Sequence, residues 1–483
     1  MGSVKAWKLS DSAAPKYPGD FEIAKKAVLQ VTDIKNNNNK YYAIELHTAT
    51  AKGKTLYRVF THYGRTDDLE TNPDAGQKEC RFFDDAGSAQ AEYDSIYRQK
   101  TSKAKGYKEL SLASSKIGSQ KARGHSSGEV DAKTLQKMKG EDKVEKPKPK
   151  KSELVPAIQD LVKYIYAEAT NALTTTVAAK ITANGIETPL GVLTVGQIEK
   201  GEEVLGDIHQ LFTSGKGNKT KFEDLSGDFY TAIPHRIGRT REAISSAVID
   251  TLAEISQKQD TLQLMKDMLA VNSSSGGGGS VLFDDQVDAQ YQALGTSLAF
   301  VERGSPEWKE WAANVEKSQI KRKDVKVVNV FRVKRSGEWD GFDLKVGNEK
   351  MFYHGSRIQN WVGLMTRGIL LPKIVVSMGV NRTDAGWLGN GIYFGDAACT
   401  AAFYTTPGKK KTRFMAIARV GMGKAKEFTK ITYGLNEPPK GYDSCHGLRS
   451  TKASPSQFED NEYVIYRQNQ QRMEYLVEFK TNG

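Results

Sequence analysis

Three short stretches in the last third of the chain contain residue types that can bind a substrate and orient or deprotonate its hydroxyl groups. They are Tyr353–Arg357 (Tyr-His-Gly-Ser-Arg), Gly389–Phe394 (Gly-Asn-Gly-Ile-Tyr-Phe) and Asn461–Tyr466 (Asn-Glu-Tyr-Val-Ile-Tyr). A further aromatic residue, Tyr404, lies eleven residues after Tyr393. Imidazole and carboxylate groups orient or deprotonate hydroxyls, and tyrosine rings stack on flat groups. Each stretch alone also fits a structural role, as a strand end, a core aromatic or an exposed strand face.

Together and in this order, the three stretches resemble the catalytic domain of the poly(ADP-ribose) polymerase family, which carries a His-Tyr-Glu triad on a split β-sheet. The resemblance implies that His354, Tyr393 and Glu462 are the catalytic residues and that NAD⁺ is the substrate. A fixed carboxylate would stabilise the positive charge that grows on the ribose as the bond to nicotinamide breaks. No metal is expected, because nicotinamide is already a cationic leaving group.

The resemblance also implies a binding site for NAD⁺. Gly355 would pair with the nicotinamide carboxamide, and Tyr393 and Tyr404 would sandwich the nicotinamide ring. The loop over residues 372–390 would cover the donor. The full set of implied NAD⁺-binding residues is His354, Gly355, Ser356, Arg357, Asn360, Arg382, Tyr393 and Tyr404.

Two positions depart from the family pattern. Ala401 stands where many relatives place a serine hydroxyl on the carboxamide. The loss of one buried hydrogen bond costs about 0.5–1.5 kcal/mol, which predicts weaker NAD⁺ binding rather than inactivity. Thr400 stands where a lysine often lies near the acceptor, which leaves the length of the product chain open.

Composition divides the chain into segments with and without a core. Residues 114–151 are rich in Ser, Gly and Lys, which predicts a disordered basic linker. The run Ser273–Ser280 predicts a second flexible linker. The predicted segments are an N-terminal tail (1–17), a β-rich domain (18–113), the basic linker (114–151), a helical domain (152–271), a Ser/Gly linker (272–280) and a catalytic domain (281–483).

Periodicity sets the expected class of each domain, and the whole is a multidomain α+β protein. Short runs rich in Tyr, Val and Phe predict strands in the first domain, with a helix near Ala86–Lys100. Apolar residues at helical spacing predict an all-α bundle in residues 152–271, with a capping box at Thr194 and Gln197. Strands near Lys326–Lys334 and Arg413–Gly421 predict a mixed α/β fold in the last domain, and the family resemblance implies that its sheet is split.

Two stretches of the helical domain, Thr188–Leu193 and Leu225–His235, resemble the regulatory domain of the DNA-dependent members of the family. The resemblance implies a bundle that blocks the donor cleft until DNA loosens it, which is allostery by local unfolding. Asp250 and Glu254 would be its acidic residues facing the cleft. The alternative is a packing bundle without a regulatory role.

The first domain contains Tyr63-Gly64-Arg65 and resembles a WGR domain, with Tyr63 in place of the tryptophan. The resemblance implies binding to DNA ends or nicks, in which Tyr63 stacks on a terminal sugar or base and Arg65 contacts phosphate. Residues 101–151 hold 14 Lys or Arg against 6 Asp or Glu, which suits a polyanion or a solvated linker. Alone, the three residues also fit an ordinary turn.

Several classes of protein are not indicated. The chain lacks a Rossmann glycine motif, a Walker A loop, a Gly-x-Ser-x-Gly elbow and the His-Glu-x-x-His or Cys-x-x-Cys metal pairs. It shows no membrane-length apolar run and no secretory signal, and its three cysteines form no framework. We therefore expect no membrane association and an intracellular protein, in the nucleus of a eukaryote or in the cytoplasm or nucleoid of a bacterium.

The function predicted from these features is DNA-break-stimulated poly(ADP-ribose) synthesis from NAD⁺ on protein acceptors, including the chain itself. This would be a DNA-binding transferase of the DNA damage response and DNA repair. Two alternatives stay open: transfer of single ADP-ribose units, and a DNA-binding scaffold with an inactive transferase fold.

Overall fold

The computed structural model of the chain describes residues 4–123, 152–177, 179–182, 185–235, 237–238, 240–274, 287–371 and 386–481. The chain divides into two compact units. The first comprises Met1–Lys148 and Thr174–Ile255, and the second comprises Pro149–Leu173 and Ser256–Gly483. Each unit has its own sheets and its own apolar core.

The first unit begins with an antiparallel sheet and one helix. Its elements are β1 (Trp7–Lys8), β2 (Glu22–Asp33), β3 (Asn38–Ala51), β4 (Lys54–Arg65), β5 (Gln77–Phe83), α1 (Ala86–Thr101) and β6 (Lys108–Glu109). The strand order is β1-β5-β4-β3-β2-β6. Lys52 and Gly53 have φ values of 50° and 74°, as a two-residue type I′ hairpin requires. Helix α1 packs Ala89, Tyr93 and Ile96 on one face of this sheet.

Helices and short strands alternate in the middle of the chain. The elements are β7 (Leu112–Ser115), α2 (Pro156–Thr176), β8 (Lys180–Thr182), β9 (Gly185–Glu187), β10 (Gly191–Leu193), α3 (Val195–Thr213), α4 (Lys219–Ala232), α5 (Arg241–Ser245), α6 (Leu252–Ser274) and α7 (Val287–Ala293). Strands β7-β10-β9-β8 form a four-stranded antiparallel sheet in the first unit. Helix α3 buries Ile198, Leu205 and Ile208, at the spacing of one helical face.

The second unit contains two further sheets. Its remaining elements are β11 (Ser297–Val301), α8 (Pro306–Lys317), β12 (Val325–Lys334), α9 (Ser336–Gly341), β13 (Glu349–Gly355), α10 (Trp361–Arg367), β14 (Ile392–Phe394), α11 (Ala398–Phe403), β15 (Arg413–Gly421), β16 (Ala425–Phe428), β17 (Ser444–Gly447), β18 (Glu462–Ile465) and β19 (Gln471–Thr481). The sheet orders are β11-β12-β19-β15-β13 and β14-β18-β17-β16. Because the sheet is divided in this way, the ends of β13, β14 and β18 can face one another.

Most of the predicted elements are confirmed. The helix near Ala86–Lys100 is α1, and the strands near Lys326–Lys334 and Arg413–Gly421 are β12 and β15. The helical domain also holds three short strands that its periodicity did not indicate. Only half of the capping box forms. The Thr194 side chain accepts from the Gln197 backbone, whereas the Gln197 side chain bonds Ser111 and Ala232 instead.

The prediction of disorder from residue 114 is wrong at its start. Residues 114–115 belong to β7, and Gln120–Ala122 form a 3₁₀ turn. The cause is one fully buried side chain, Ile117, in a polar segment whose Ser119 backbone and hydroxyl both donate to the buried Glu45. Residues 272–274 of the second predicted linker continue α6. Residues 124–151 and 275–280 lie outside the described residues.

Candidate active site

Gly355 ends strand β13 at a point where no larger residue fits. A Cβ atom at this position would lie 1.9 Å from the Ala401 carbonyl oxygen in helix α11. Strand β13 is held in register by β15, with Gly355 opposite Met415. The glycine therefore lets the strand end close against the helix, and it places the preceding residue, His354, beside that junction.

His354 connects the two sheets of the second unit. Its Nδ1 donates to the Tyr393 carbonyl oxygen over 2.9 Å, so Nδ1 carries the proton and Nε2 is left as an acceptor. Burial lowers the pKa of His354, and the hydrogen bond to Tyr393 opposes this shift only in part. A neutral imidazole with Nε2 as an acceptor can take a hydrogen bond from a sugar hydroxyl.

The ring of Tyr393 is held by the loop that precedes it. Its hydroxyl donates to the Gly389 carbonyl over 2.8 Å and accepts from the Leu388 amide over 3.0 Å. Gly389 has φ of +84°, and a Cβ at this residue would lie 2.1 Å from the Leu435 carbonyl oxygen. A Cβ on Gly386 would lie 2.2 Å from Cζ of Tyr393. These contacts fix the orientation of the ring.

Glu462 begins strand β18, between the strands β14 and β17. Its neighbour Tyr463 pairs with Phe394, and Glu462 itself pairs with Gly447. The residue is only 9% exposed. Burial raises the pKa of Glu462 to about 7, and the negative charges of Asp460 and Asp396 act in the same direction.

Tyr404 lies close enough to Glu462 for the two groups to interact. Partial burial raises the pKa of Tyr404 to about 12, and the charge of Glu462 is the next cause. The residue nevertheless remains 58% exposed, which is unusual for a large aromatic side chain. An exposed ring at the edge of a cleft can stack on a ligand.

Three of the other residues predicted to bind NAD⁺, which are Ser356, Arg357 and Asn360, follow the end of β13. Asn360 Nδ2 donates to the Ser356 hydroxyl over 3.1 Å. Arg357 forms an ion pair with Asp260 of helix α6 at 2.8 Å. Ala401 is buried, and Thr400 lies one residue before it in α11. Arg382 and most of the predicted loop, residues 372–385, lie outside the described residues.

A polar network beside Glu462 was missed by sequence reasoning. Asn461 Nδ2 donates to Asp396 Oδ2 over 2.7 Å, and its Oδ1 accepts from the Arg449 amide over 2.8 Å. The Arg449 guanidinium bonds Asp396 Oδ1 at 2.9 Å and lies 3.5 Å from Asp460. The network positions the residue before Glu462 from both sides. Only Asn461, inside the Asn-Glu-Tyr stretch, carried a signal in the sequence.

The elements thus bring His354, Tyr393 and Glu462 to one edge of the divided sheet. The carbonyl of Tyr393 bonds His354, and the strand of Tyr393 pairs with the strand of Glu462. In the part of the chain that the structure describes, no group of three or more His, Cys, Asp or Glu side chains could hold a metal ion. The site offers stacking surfaces, a hydrogen-bond acceptor and a carboxylate.

Three family models together match most of the chain. Residues 305–481 match the poly(ADP-ribose) polymerase catalytic domain, residues 152–291 match the poly(ADP-ribose) polymerase regulatory domain, and residues 25–113 match the WGR domain. The chain belongs to the poly(ADP-ribose) polymerase family. The resemblance predicted from the sequence is confirmed, and the matched catalytic domain is that of NAD⁺ ADP-ribosyltransferases.

Curated relatives within the polymerase family carry two kinds of name. Human protein mono-ADP-ribosyltransferase PARP4 is 33% identical over 69% of this chain, but the match covers only 18% of that protein. Drosophila melanogaster poly [ADP-ribose] polymerase is 28% identical over 94% of the chain and 46% of the relative. Mouse protein mono-ADP-ribosyltransferase PARP3 is 26% identical over 93% of the chain and 87% of the relative. The chain spans less than half the length of the first two relatives.

The residues proposed to read DNA lie on β4 of the WGR region. The Tyr63 ring stacks on Tyr42 with centroids 5.0 Å apart, and its hydroxyl lies 2.9 Å from both Gln77 and Glu79. Arg65 Nη1 donates to the Asn37 carbonyl over 3.1 Å. Both side chains are partly exposed.

Asp250 and Glu254, the acidic residues predicted to face the donor cleft, lie around the start of α6 in the first unit, and their regulatory role stays a prediction. The Glu254 carboxylate caps α6, where it accepts from the Asp250 and Thr251 amides, both over 3.1 Å. In the second unit, later residues of α6 contact the catalytic domain. Asp260 pairs with Arg357, and Asp267 pairs with Arg367 at 2.7 Å.

No helix of the described residues is long and apolar enough to cross a membrane.

Proposed function

We propose that this chain transfers ADP-ribose from NAD⁺ to proteins, including itself, releases nicotinamide, and is stimulated by DNA breaks. The observation that carries the proposal is the buried Glu462, whose charge acts on Tyr404 and whose strand pairs with the strand of Tyr393. A buried carboxylate near an exposed tyrosine ring suits a cationic ring attached to a ribose. The site residues, the nuclear or nucleoid location and the protein acceptors are all part of this proposal.

The proposed reaction uses each group for one task. Tyr393 and Tyr404 hold the nicotinamide, and the Nε2 atom of His354 accepts from the adenosine ribose. Glu462 holds a hydroxyl of the nicotinamide ribose and stabilises the oxocarbenium-like state as the glycosidic bond breaks. With a pKa of about 7, Glu462 can also accept the proton of the incoming acceptor hydroxyl.

Chain elongation is the finer part of the proposal. The presence of His354 and Glu462 together with Tyr393 supports elongation, whereas relatives named as mono-ADP-ribosyltransferases favour single transfer. Incubation with labelled NAD⁺ and nicked DNA, followed by gel analysis, separates the two. A ladder or smear supports polymer, and one discrete shift supports single transfer. No product from the wild-type chain, with or without DNA, would favour the scaffold alternative.

Stimulation by DNA is tested at Tyr63. We expect Tyr63→Ala to reduce the increase in rate that nicked DNA causes, because stacking on a base contributes about 1–3 kcal/mol. Tyr97→Ala is the matched control, since Tyr97 is also partly buried and its hydroxyl also donates to a carboxylate, that of Glu109. Equal stimulation of both variants by DNA would reject the assignment of Tyr63.

A further inference from the structure

A cavity of about 450 Å³ lies in the first unit, on the sheet face opposite helix α1. Side chains alternate along β4, so Tyr57 and Val59 pack with α1, whereas Arg58 and Phe60 line the cavity. The segment 118–123 forms another wall. A volume of this size lies within the range of ordinary small-molecule sites, roughly 300–1,000 Å³.

Positive charge dominates the lining. The cationic side chains in it are Arg58, Lys78, Lys121 and Arg123. Fewer carboxylates balance them, since Asp74 pairs with both Lys78 and Arg123, and the exposed Asp20 pairs with Lys121. Arg58 forms no ion pair with a carboxylate within the described ranges. Two positive charges therefore remain in excess, which favours an anion.

Arg58 is held in place before any ligand binds. Its Nε and Nη2 lie 3.1 and 2.9 Å from His47 Nδ1, and its guanidinium lies over the rings of Tyr17 and Phe21, 4.3 and 4.9 Å from their centroids. Because His47 Nδ1 accepts, the imidazole proton is on Nε2, which donates to Glu45 over 2.7 Å. Nη1 of Arg58 makes no hydrogen bond within the described part of the chain, and it is the atom left for a ligand.

Two buried charges beneath the cavity do not change this balance. Glu45 and Lys26 are 0% and 2% exposed, and their opposite charges interact, so together they add no net charge. Glu45 accepts from the Ser119 backbone and hydroxyl, and Lys26 donates to the Ala122 carbonyl over 2.8 Å. These bonds fasten segment 118–122 to the sheet, so the wall of the cavity is rigid.

We propose that this cavity binds a small nucleotide that carries a diphosphate. Two excess cationic charges match the charges of a diphosphate, and Nη1 of Arg58 can donate a charge-assisted hydrogen bond to a phosphate oxygen. Leu9 and Phe21 supply apolar surface for a nucleoside. The cavity is also much larger than a phosphate ion.

This site is separate from the residues proposed to read DNA. Arg58 precedes Tyr63 and Arg65 by five and seven residues along the same strand, which corresponds to roughly 17–23 Å. The inference does not rest on the transferase reaction, because it concerns binding to the first unit alone.

Calorimetric titration of the full chain with ADP-ribose tests the proposal. The proposed donor site would also bind this probe, so we expect two equivalents in the wild type. Arg58→Gln should weaken one of them about tenfold or more, the effect of losing a charged hydrogen bond, and His354→Ala should remove the other. The second result depends on the donor site alone, so a failure there leaves the test of the cavity intact.

A matched pair of lysines controls for surface charge and for folding. Lys121 has Asp20 at 3.0 Å and the Phe21 ring at 5.3 Å, and Lys25 has Asp94 at 3.1 Å and the Tyr93 ring at 4.8 Å. We expect Lys121→Gln to weaken the same equivalent about threefold and Lys25→Gln to leave it unchanged. If Arg58→Gln does not fold, this pair still decides the question.

Several results would overturn the proposal. One is that both equivalents of ADP-ribose bind to Arg58→Gln and to Lys121→Gln as tightly as to the wild type. Another is a single equivalent in the wild type that His354→Ala abolishes. Displacement of the Arg58-dependent equivalent by a 5′-phosphorylated DNA duplex would assign the cavity to DNA ends. Binding of inorganic phosphate as tightly as ADP-ribose would show that the cavity does not engage the nucleoside.

Discussion

Each unit of this chain contains a buried glutamate with a shifted pKa, and the two shifts have opposite directions: the pKa of Glu45 in the first unit is lowered, and that of Glu462 in the second unit is raised. In the first unit, burial opposes ionisation of Glu45, but the hydrogen bond from His47, the charge of Lys26 and the bond from Ser119 together lower its pKa. In the second unit, burial raises the pKa of Glu462 to about 7, and Asp460 and Asp396 add to the shift. The same residue type is thus stabilised as an anion in one place and penalised in the other.

The difference separates a structural carboxylate from a reactive one. Glu45 already has its hydrogen bonds from His47 and Ser119, so ionising it costs little and ordering the segment around it gains stability. Glu462 is buried near the negative charges of Asp460 and Asp396, and both effects make its ionisation unfavourable. Perturbed carboxylates of the second kind occur preferentially where substrates bind.

The largest expected effect is on catalysis. Glu462→Gln removes the negative charge but keeps the shape of the side chain, so we expect the rate of ADP-ribose transfer to fall about 10²–10³-fold. Single-turnover transfer of labelled NAD⁺ measures this loss. Glu459→Gln, three residues earlier and paired with the exposed Lys321, is the control and should stay close to the wild type. An unchanged rate in Glu462→Gln would show that Glu462 has no catalytic role.

The matching change in the first unit should affect folding instead. Glu45→Gln leaves the ammonium of Lys26 buried without its counter-charge, and breaking a buried pair costs about 3 kcal/mol or more. Urea unfolding followed in the first unit measures this, with the exposed Glu22→Gln on the neighbouring strand as a control. Because the pKa of Glu45 is lowered on folding, its contribution is present above its usual pKa and is lost as pH falls. Equal stability of the two variants would contradict the structural role of Glu45.

Glu462→Gln should also stabilise the folded chain, but only at higher pH. A group whose pKa is raised on folding contributes stability below its unfolded pKa of about 4.5, and this contribution is lost as pH rises through about 7. At pH 8 the variant should therefore gain on the order of 2 kcal/mol over the wild type, and at pH 5 much less. Thermal unfolding of both proteins at the two pH values checks the sign. A gain of equal size at both would mean that ionisation is not the cause.

Local chemistry made part of this site predictable. Tyr353–Arg357, Gly389–Phe394 and Asn461–Tyr466 keep their residue types close together in sequence, and the strands near Lys326–Lys334 and Arg413–Gly421 were also predicted from short segments, as β12 and β15. Glycines with tight backbone neighbours, such as Gly355, also belong to short motifs. Features within one element or one turn can be predicted in this way.

Interactions between distant segments could not be predicted. Arg449 meets Asp396 across 53 residues, and no motif surrounds either one. The ion pair of Asp260 with Arg357 depends on the register of α6, whereas the family resemblance pointed to Asp250 and Glu254. The ordered start of the basic segment depends on one buried residue, Ile117, which an average over composition hides. Tertiary packing decides such cases.

The smallest expected effect tests which neighbours set the ionisation of Glu462. Asp460 raises the pKa of Glu462, so Asp460→Asn should lower that pKa and move the rise of the transfer rate with pH toward lower pH by about half a unit. The substitution also releases Lys321, 3.6 Å away, and Arg449, 3.5 Å away, to act on Glu462 in the same direction. Rate profiles of the variant and the wild type between pH 5.5 and 8.5, roughly the range in which such a group titrates, measure the midpoint. Because the charge change leaves strand β18 in place, a shift in midpoint without a change in the high-pH rate identifies electrostatics as the cause. A midpoint that stays near that of the wild type would mean that burial alone sets the pKa of Glu462, and the contrast with Glu45 would then lie in the hydrogen bonds of Glu45 rather than in neighbouring charge.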